Sequence, residues 1–163
     1  MIGQLHYFAL LGLPVPGTNA KLLLWDNIFT HFEKEENNKN IRGKLEDDLI
    51  KIKHIMDNST SNSLIIMNEI FSSTTIEDAI YLAKNIIEKI LNLDALGIYV
   101  TFLDELTHMD PRIVSMVALV SSDDPSIRTF KISRKNADGY AYALSIAKKY
   151  CLTYNCLKER IKI

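Results

Sequence analysis

A chain of 163 residues suits one domain with a sizeable core, and 47% hydrophobic with 24% charged residues is a soluble globular composition, not a disordered one. The formal net charge of −1 argues against autonomous nucleic-acid binding, which draws on surplus Lys and Arg, and leaves room only for local basic patches. No apolar run approaches the ~20 residues that span a bilayer, and residues 1–13 lack the basic leader and cleavage site of a signal peptide, so no membrane role and a cytoplasmic location are expected.

Residues 1–11 carry apolar side chains in helical register, stopped by Gly12, Pro14 and Pro16. A helix apolar from its first residue reads as buried and as following another element. Residues 21–25 and 28–32 read as short strands, with Trp25, Phe29 and Phe32 as core rather than a base-stacking platform. Residues 33–40 are polar and asparagine-rich, an exposed loop. Ile41, Leu45, Leu49, Ile52 and Met56 then recur at spacings of three and four, an amphipathic helix with Glu46, Asp47, Lys51 and Lys53 mostly outward.

Residues 63–67 form a short apolar run of the kind parallel sheets bury on both faces. A hydroxyl-rich turn, Ser72, Ser73, Thr74 and Thr75, precedes a long helix whose inner face is traced by Ile76, Ala79, Ile80, Ala83, Ile87, Ile90 and Leu91. Residues 97–101 are the next buried strand, which completes a βαβ unit. Residues 114–120 and 127–133 are two β-rich segments joined through Pro125, a hairpin or edge pair. Tyr140, Ala143, Leu144, Ala147 and Tyr150 mark another helix. Thr153 is placed to cap a last one, with Tyr154, Leu157 and Ile161 inward. There is no internal repeat and no long linker, so residues 1–163 read as a single domain. Cys151 and Cys156 read as reduced thiols, and His6, His31, His54 and His108 have no metal-ligand spacing to one another.

The chemistry concentrates at Leu64-Ile65-Ile66-Met67-Asn68-Glu69, an apolar strand that delivers two polar side chains at its carboxyl end. Ligands of open α/β sheets bind at that edge. In phosphate-transfer ATPases the first acidic group there holds the hydration shell of Mg²⁺, and a following Glu orients or deprotonates the attacking water. The bland alternative is that Glu69 caps the next turn. Ser72, Ser73, Thr74 and Thr75 are read either as N-caps of the helix at Ile76 or as a loop that faces a second subunit. Arg42 and Lys44 are either a solvated helix start or contacts to a partner's nucleotide.

Glu69-Ile70-Phe71-Ser72-Ser73-Thr74-Thr75 opening a long helix resembles the MutS family, whose ATPase strand runs through an acidic pair, an Ile and a hydroxyl-rich loop. Ile28-Phe29-Thr30 is similar to the strand before that family's signature segment, and Arg42 with the helix near Gly43 stands where the signature lies. Tyr99-Val100-Thr101-Phe102-Leu103-Asp104-Glu105-Leu106 resembles its switch strand. Asp138-Gly139 with the helix after it, and Leu152-Thr153 onward, resemble its last two helices.

The resemblance implies an α/β fold. It also implies a partial P-loop NTPase of the ABC-like MutS type, a mostly parallel sheet flanked by helices with an antiparallel edge pair. The chain would be the C-terminal portion of an ATPase domain. The complete protein is then expected to couple ATP hydrolysis to DNA mismatch repair or a related DNA transaction, with ATP and Mg²⁺ as cofactors and DNA held by other domains. Glu69 would be the catalytic group. Asn68 would lie near Mg²⁺ through water, and Phe102, Arg42 and Lys44 would border the nucleotide. Ser72, Ser73, Thr74 and Thr75 would meet the opposite subunit.

The departures from the family pattern are specific. No Gly-x-x-x-x-Gly-Lys-Ser/Thr occurs, and the only Gly-Lys pair, Gly43-Lys44, precedes Leu45 and replaces the signature's hydroxyl pair. Asn68 replaces an Asp and Phe102 a His. The expectation for the isolated chain is therefore no ATPase activity and no tightly bound cofactor. Bare apolar surface beside residues 64–67 should drive self-association. The alternative reading is a non-catalytic dimerisation or interaction module derived from such a domain.

Overall fold

The computed structural model describes residues 1–32, 43–124, 126–137 and 143–161. The loop expected at 33–40, Arg42, Pro125 and the Asp138-Gly139-Tyr140 stretch lie outside them. The chain divides into two compact units, Met1–Leu106 and Thr107–Ile163.

In the first unit, β1 (Asn27–Phe32), β2 (Ser63–Asn68) and β3 (Leu96–Val100) form a parallel sheet in that order. Asn27 lies opposite Ser63, and Leu64 opposite Leu96. The crossovers are helices α2 (Lys44–Asn58) and α3 (Ile76–Asn92). β2 is paired on both sides and covered on both faces, so Ser63 through Met67 are all buried. This is why the strand is written as an unbroken apolar run. Its side chains alternate between two clusters. Ile65 and Met67 pack with Ile52 and Ile55 of α2 and with Ala79, Ile86 and Ile90 of α3. Leu64 and Ile66 pack with Trp25, Ile28 and Ile98.

Several expectations for this unit need correction, among them a buried strand at 97–101 and a core place for Phe32, since no residue of β3 is buried and Phe32 is exposed. Residues 21–25 are not a strand: Trp25 seats in the second cluster, Leu23 and Leu24 stay exposed, and pairing begins only as the Asp26 N–H donates to the Asn62 carbonyl (3.0 Å). The first helix, α1 (Ile2–Leu10), forms but is not buried, since His6 alone is buried along it. Its close approach is at Gly3, where an added Cβ would lie 2.8 Å from Ile66 Cδ1. Residues 64–67 carry no bare apolar surface, because β1 and β3 flank them. Uncovered apolar side chains of this unit lie elsewhere, for instance Tyr7 and Leu10 on α1, Leu11 after it, and Leu23 and Leu24. On α3, Ile76 is exposed and Ile86 is buried, which rotates the inner face slightly from the one expected. Thr75 begins that helix as its N-cap, its Oγ1 accepting from the Asp78 N–H (3.2 Å), a bond that contributes about 1 kcal/mol.

In the second unit, β4 (Met116–Val120) and β5 (Arg128–Arg134) pair antiparallel, with Met116 opposite Arg134 and a register shift between Ala118 and Val120. They form a two-stranded sheet of their own instead of an edge of the parallel sheet. The pair closes on itself locally: the Ser121 N–H donates to the Ile127 carbonyl and the Thr129 hydroxyl to the Leu119 carbonyl. Helices α4 (Ala143–Lys149) and α5 (Tyr154–Arg160) follow. Thr153 takes the N-cap backbone conformation, but its side chain makes no cap bond. Tyr154, Leu157 and Ile161, expected inward, are exposed. Among the described residues no helix is long and apolar enough to cross a membrane.

Candidate functional site at the carboxyl edge of the parallel sheet

β2 delivers Asn68 as its last residue, opposite Phe32 of β1 and Val100 of β3. The strand stops there because the chain turns sharply: Glu69 (φ 49°) and Phe71 (φ 65°) both take the left-handed conformation. Two contacts hold the turn. The Glu69 N–H donates to the Val100 carbonyl (2.9 Å), which ties it to the end of β3. Ile70 and Phe71 drop into the core, Phe71 to 1% exposure. Asn68 and Glu69 are thereby left half-buried on the rim. No hydrogen bond or ion pair engages the Glu69 carboxylate among the described residues.

The hydroxyl-rich turn lies next along the chain. Lys44, the first residue of α2, donates from Nζ to Ser72 Oγ (3.0 Å). This contact brings the helix that follows β1 to the turn that follows β2. Thr74 Oγ1 donates to Asp78 Oδ2 (3.4 Å), while Thr75 serves as the cap already described. Ser72 and Ser73 are exposed. The structure thus gathers Asn68, Glu69, Lys44 and Ser72 at one edge. Thr75 takes the capping role, and Thr74 is turned toward α3.

Phe102 lies two residues beyond β3 and is 83% exposed, so its ring presents an apolar surface and no donor. Arg42 falls outside the described residues. Among the described residues no group of three or more His, Cys, Asp and Glu side chains is placed to cage a metal ion. Tyr99, opposite Met67, has its hydroxyl buried with no hydrogen-bond partner among the described residues, and burial pushes its phenol well above the usual tyrosine range.

The sequence reading missed a buried hydrogen-bonded His–Asp pair beside this edge. His31 Nε2 and Asp48 Oδ1 lie 3.0 Å apart, and both side chains are buried. His31 sits next to last on β1, opposite Met67, and Asp48 belongs to α2. A signal for it existed: Leu45, Asp48, Ile52 and Ile55 share one helical face by spacing, and a carboxylate on an apolar face requires a partner.

A family model described as MutS domain V matches residues 2–161. The DNA mismatch repair protein MutS of Ruminiclostridium cellulolyticum is 28% identical over 147 residues, covering 86% of this chain and 17% of that protein. The DNA mismatch repair protein MSH3 of Yarrowia lipolytica is 26% identical over 150 residues, covering 84% of this chain and 14% of that protein. MutS of Clostridium novyi is 27% identical over 154 residues, covering 90% and 17%. The chain therefore spans between 14% and 17% of the length of these curated relatives.

Proposed function

Because this chain belongs to the MutS family, within domain V, we propose that it supplies the hydrolytic edge of an ATPase that drives DNA mismatch repair or a related DNA transaction. The observation that carries this reading is the carboxyl edge of β2, where Asn68 and Glu69, whose carboxylate has no partner among the described residues, lie on the same edge as the Lys44–Ser72 contact. In the reaction proposed, Glu69 orients a water for in-line attack on a terminal phosphate. The Asn68 amide hydrogen-bonds a metal-held water. It adds no negative charge, so it holds Mg²⁺ less strongly than a carboxylate. Lys44 and Ser72 offer an ammonium and a hydroxyl where α2 meets the turn, and in this reading they meet a second subunit. Phe102 contributes shape only.

The fit to ATP and Mg²⁺ is one-sided. The rim residues suit the water and metal side of a nucleotide. The 163 residues hold no Gly-x-x-x-x-Gly-Lys-Ser/Thr, so this sequence offers no backbone cradle for the phosphates and no tight site of its own. The test is Glu69→Gln in the full-length MutS-type protein. Steady-state ATP hydrolysis should fall by about 10²–10⁴-fold, the usual contribution of a positioned base, with ATP affinity unchanged. Equal rates would remove Glu69 from the reaction.

A second reading, an interaction module that joins copies of this chain, draws on the apolar side chains left uncovered on α1 and at Leu23 and Leu24. Such patches mark contact surfaces. Light scattering across a concentration series should then show a mass above 18.6 kDa that grows with concentration. A constant monomer mass would dismiss this reading.

A further inference from the structure

The two units divide the charge of the chain unevenly. Met1–Leu106 holds nine Lys and Arg against fifteen Asp and Glu, whereas Thr107–Ile163 holds ten against five. The second unit is thus basic by five charges, which the overall −1 conceals. Four of its ten basic residues lie on β5 or directly after it, Arg128, Lys131, Arg134 and Lys135, and all four are exposed.

At the open end of that hairpin lies a cavity of about 360 Å³ lined by Thr107, Ile113, Val114, Ser115, Arg134, Lys135 and Asn136, with no Asp or Glu among the described residues of its wall. Two cations, two hydroxyls and an amide are the donors that recognise a phosphate group. Of the described acids of this unit, Asp110 is the nearest in sequence to that lining; it is matched by Arg112 at 2.9 and 3.0 Å, and that guanidinium holds its carboxyl down at about 2. Farther along β5, Phe130 stands 93% exposed in a left-handed conformation, between Arg128 and Arg134, with Ile132 also in solvent. An aromatic ring projecting from a basic ribbon matches the way single strands are held, bases stacked on rings and phosphates beside cations.

We infer that the β4–β5 hairpin binds single-stranded nucleic acid, with a backbone phosphate in the cavity at Arg134 and Lys135 and a base on Phe130. The charge sign and the two cations lining the cavity favour a polyanion over a protein, and the ring that projects from β5 at Phe130 favours unpaired bases over a duplex. The inference does not depend on nucleotide hydrolysis at Glu69.

Fluorescence anisotropy with a labelled oligothymidine, titrated with this chain at 50 and 200 mM salt, tests it. Circular dichroism would confirm that each variant folds. Arg134→Ala/Lys135→Ala should weaken binding at least about tenfold at low salt and flatten the log–log salt slope by about 0.7 for each phosphate that is no longer neutralised. Phe130→Ala should weaken it by about 5- to 150-fold, the range for losing one stacked base, without changing the slope. Lys148→Ala/Lys149→Ala, an equal charge loss on α4, should stay within about twofold. No binding at 50 mM salt, or equal losses for both charge variants, would overturn the inference. So would a duplex binding as tightly as the single strand, or full displacement by millimolar inorganic phosphate with Phe130→Ala silent.

Discussion

Replacing Asp48 with Ala should destabilise the chain by about 1–3 kcal/mol, the cost of leaving a buried hydrogen-bonding group without its partner. Asp48 comes from the inner face of α2 and His31 from β1, so their 3.0 Å contact joins the first crossover helix to the sheet it covers. With both side chains buried, removing the carboxylate deprives the imidazole of a partner that water cannot replace. A typical domain has about 5–15 kcal/mol of net stability, so this one change removes a large share. Urea unfolding followed by circular dichroism should show a lower midpoint at an unchanged slope. His31→Leu should behave alike, and the His31→Leu/Asp48→Leu double variant should lose clearly less than the two single losses combined. A midpoint for Asp48→Ala equal to the parent's would mean that the pair contributes nothing.

The second large effect is at Phe71. Its ring is 1% exposed and packs in the cluster with Ile65, Ile70 and Ala79, while its backbone lies at φ 65°. Phe71→Ala should cost about 3–5 kcal/mol, the range for emptying an aromatic site in a core. Phe71→Gly loses the same ring but relieves a conformation that costs a non-glycine residue about 1–2 kcal/mol. In the same urea assay the Gly variant should therefore be about 1 kcal/mol more stable than the Ala variant. The reverse order would show that packing, not backbone strain, governs the turn that presents Glu69.

The parallel sheet was legible because its strands obey a rule visible residue by residue. Leu64 through Met67 are apolar without interruption, and the helices on either side carry apolar residues at three- and four-residue spacing. The same rule misread residues 21–25: they are apolar and bulky, but pairing needs a neighbouring strand edge, and here Trp25 found a packing site instead. It also assigned α1 to the interior, although an apolar helix is buried only as far as something covers it. At the site, Asn68 and Glu69 were legible because the polar pair follows directly on the apolar run. The Lys44–Ser72 contact joins residues far apart in sequence, and no local pattern encodes it. The basic hairpin was hidden by averaging, since the acidic first unit cancels its charge in any whole-chain sum.

The strand registers also carry a consequence for the order of assembly. Every pairing in the parallel sheet joins residues separated by a whole crossover helix, as Asn27 with Ser63 and Leu64 with Leu96. In the second unit, Val120 meets Arg128 across a single turn. Closing long loops slows the search for contacts far more than closing short ones. The hairpin should therefore form early and by itself, on a microsecond scale. β2, which needs a neighbour on each side before it is covered, becomes protected last, so the rim that presents Asn68 and Glu69 matures only when the whole first unit has closed.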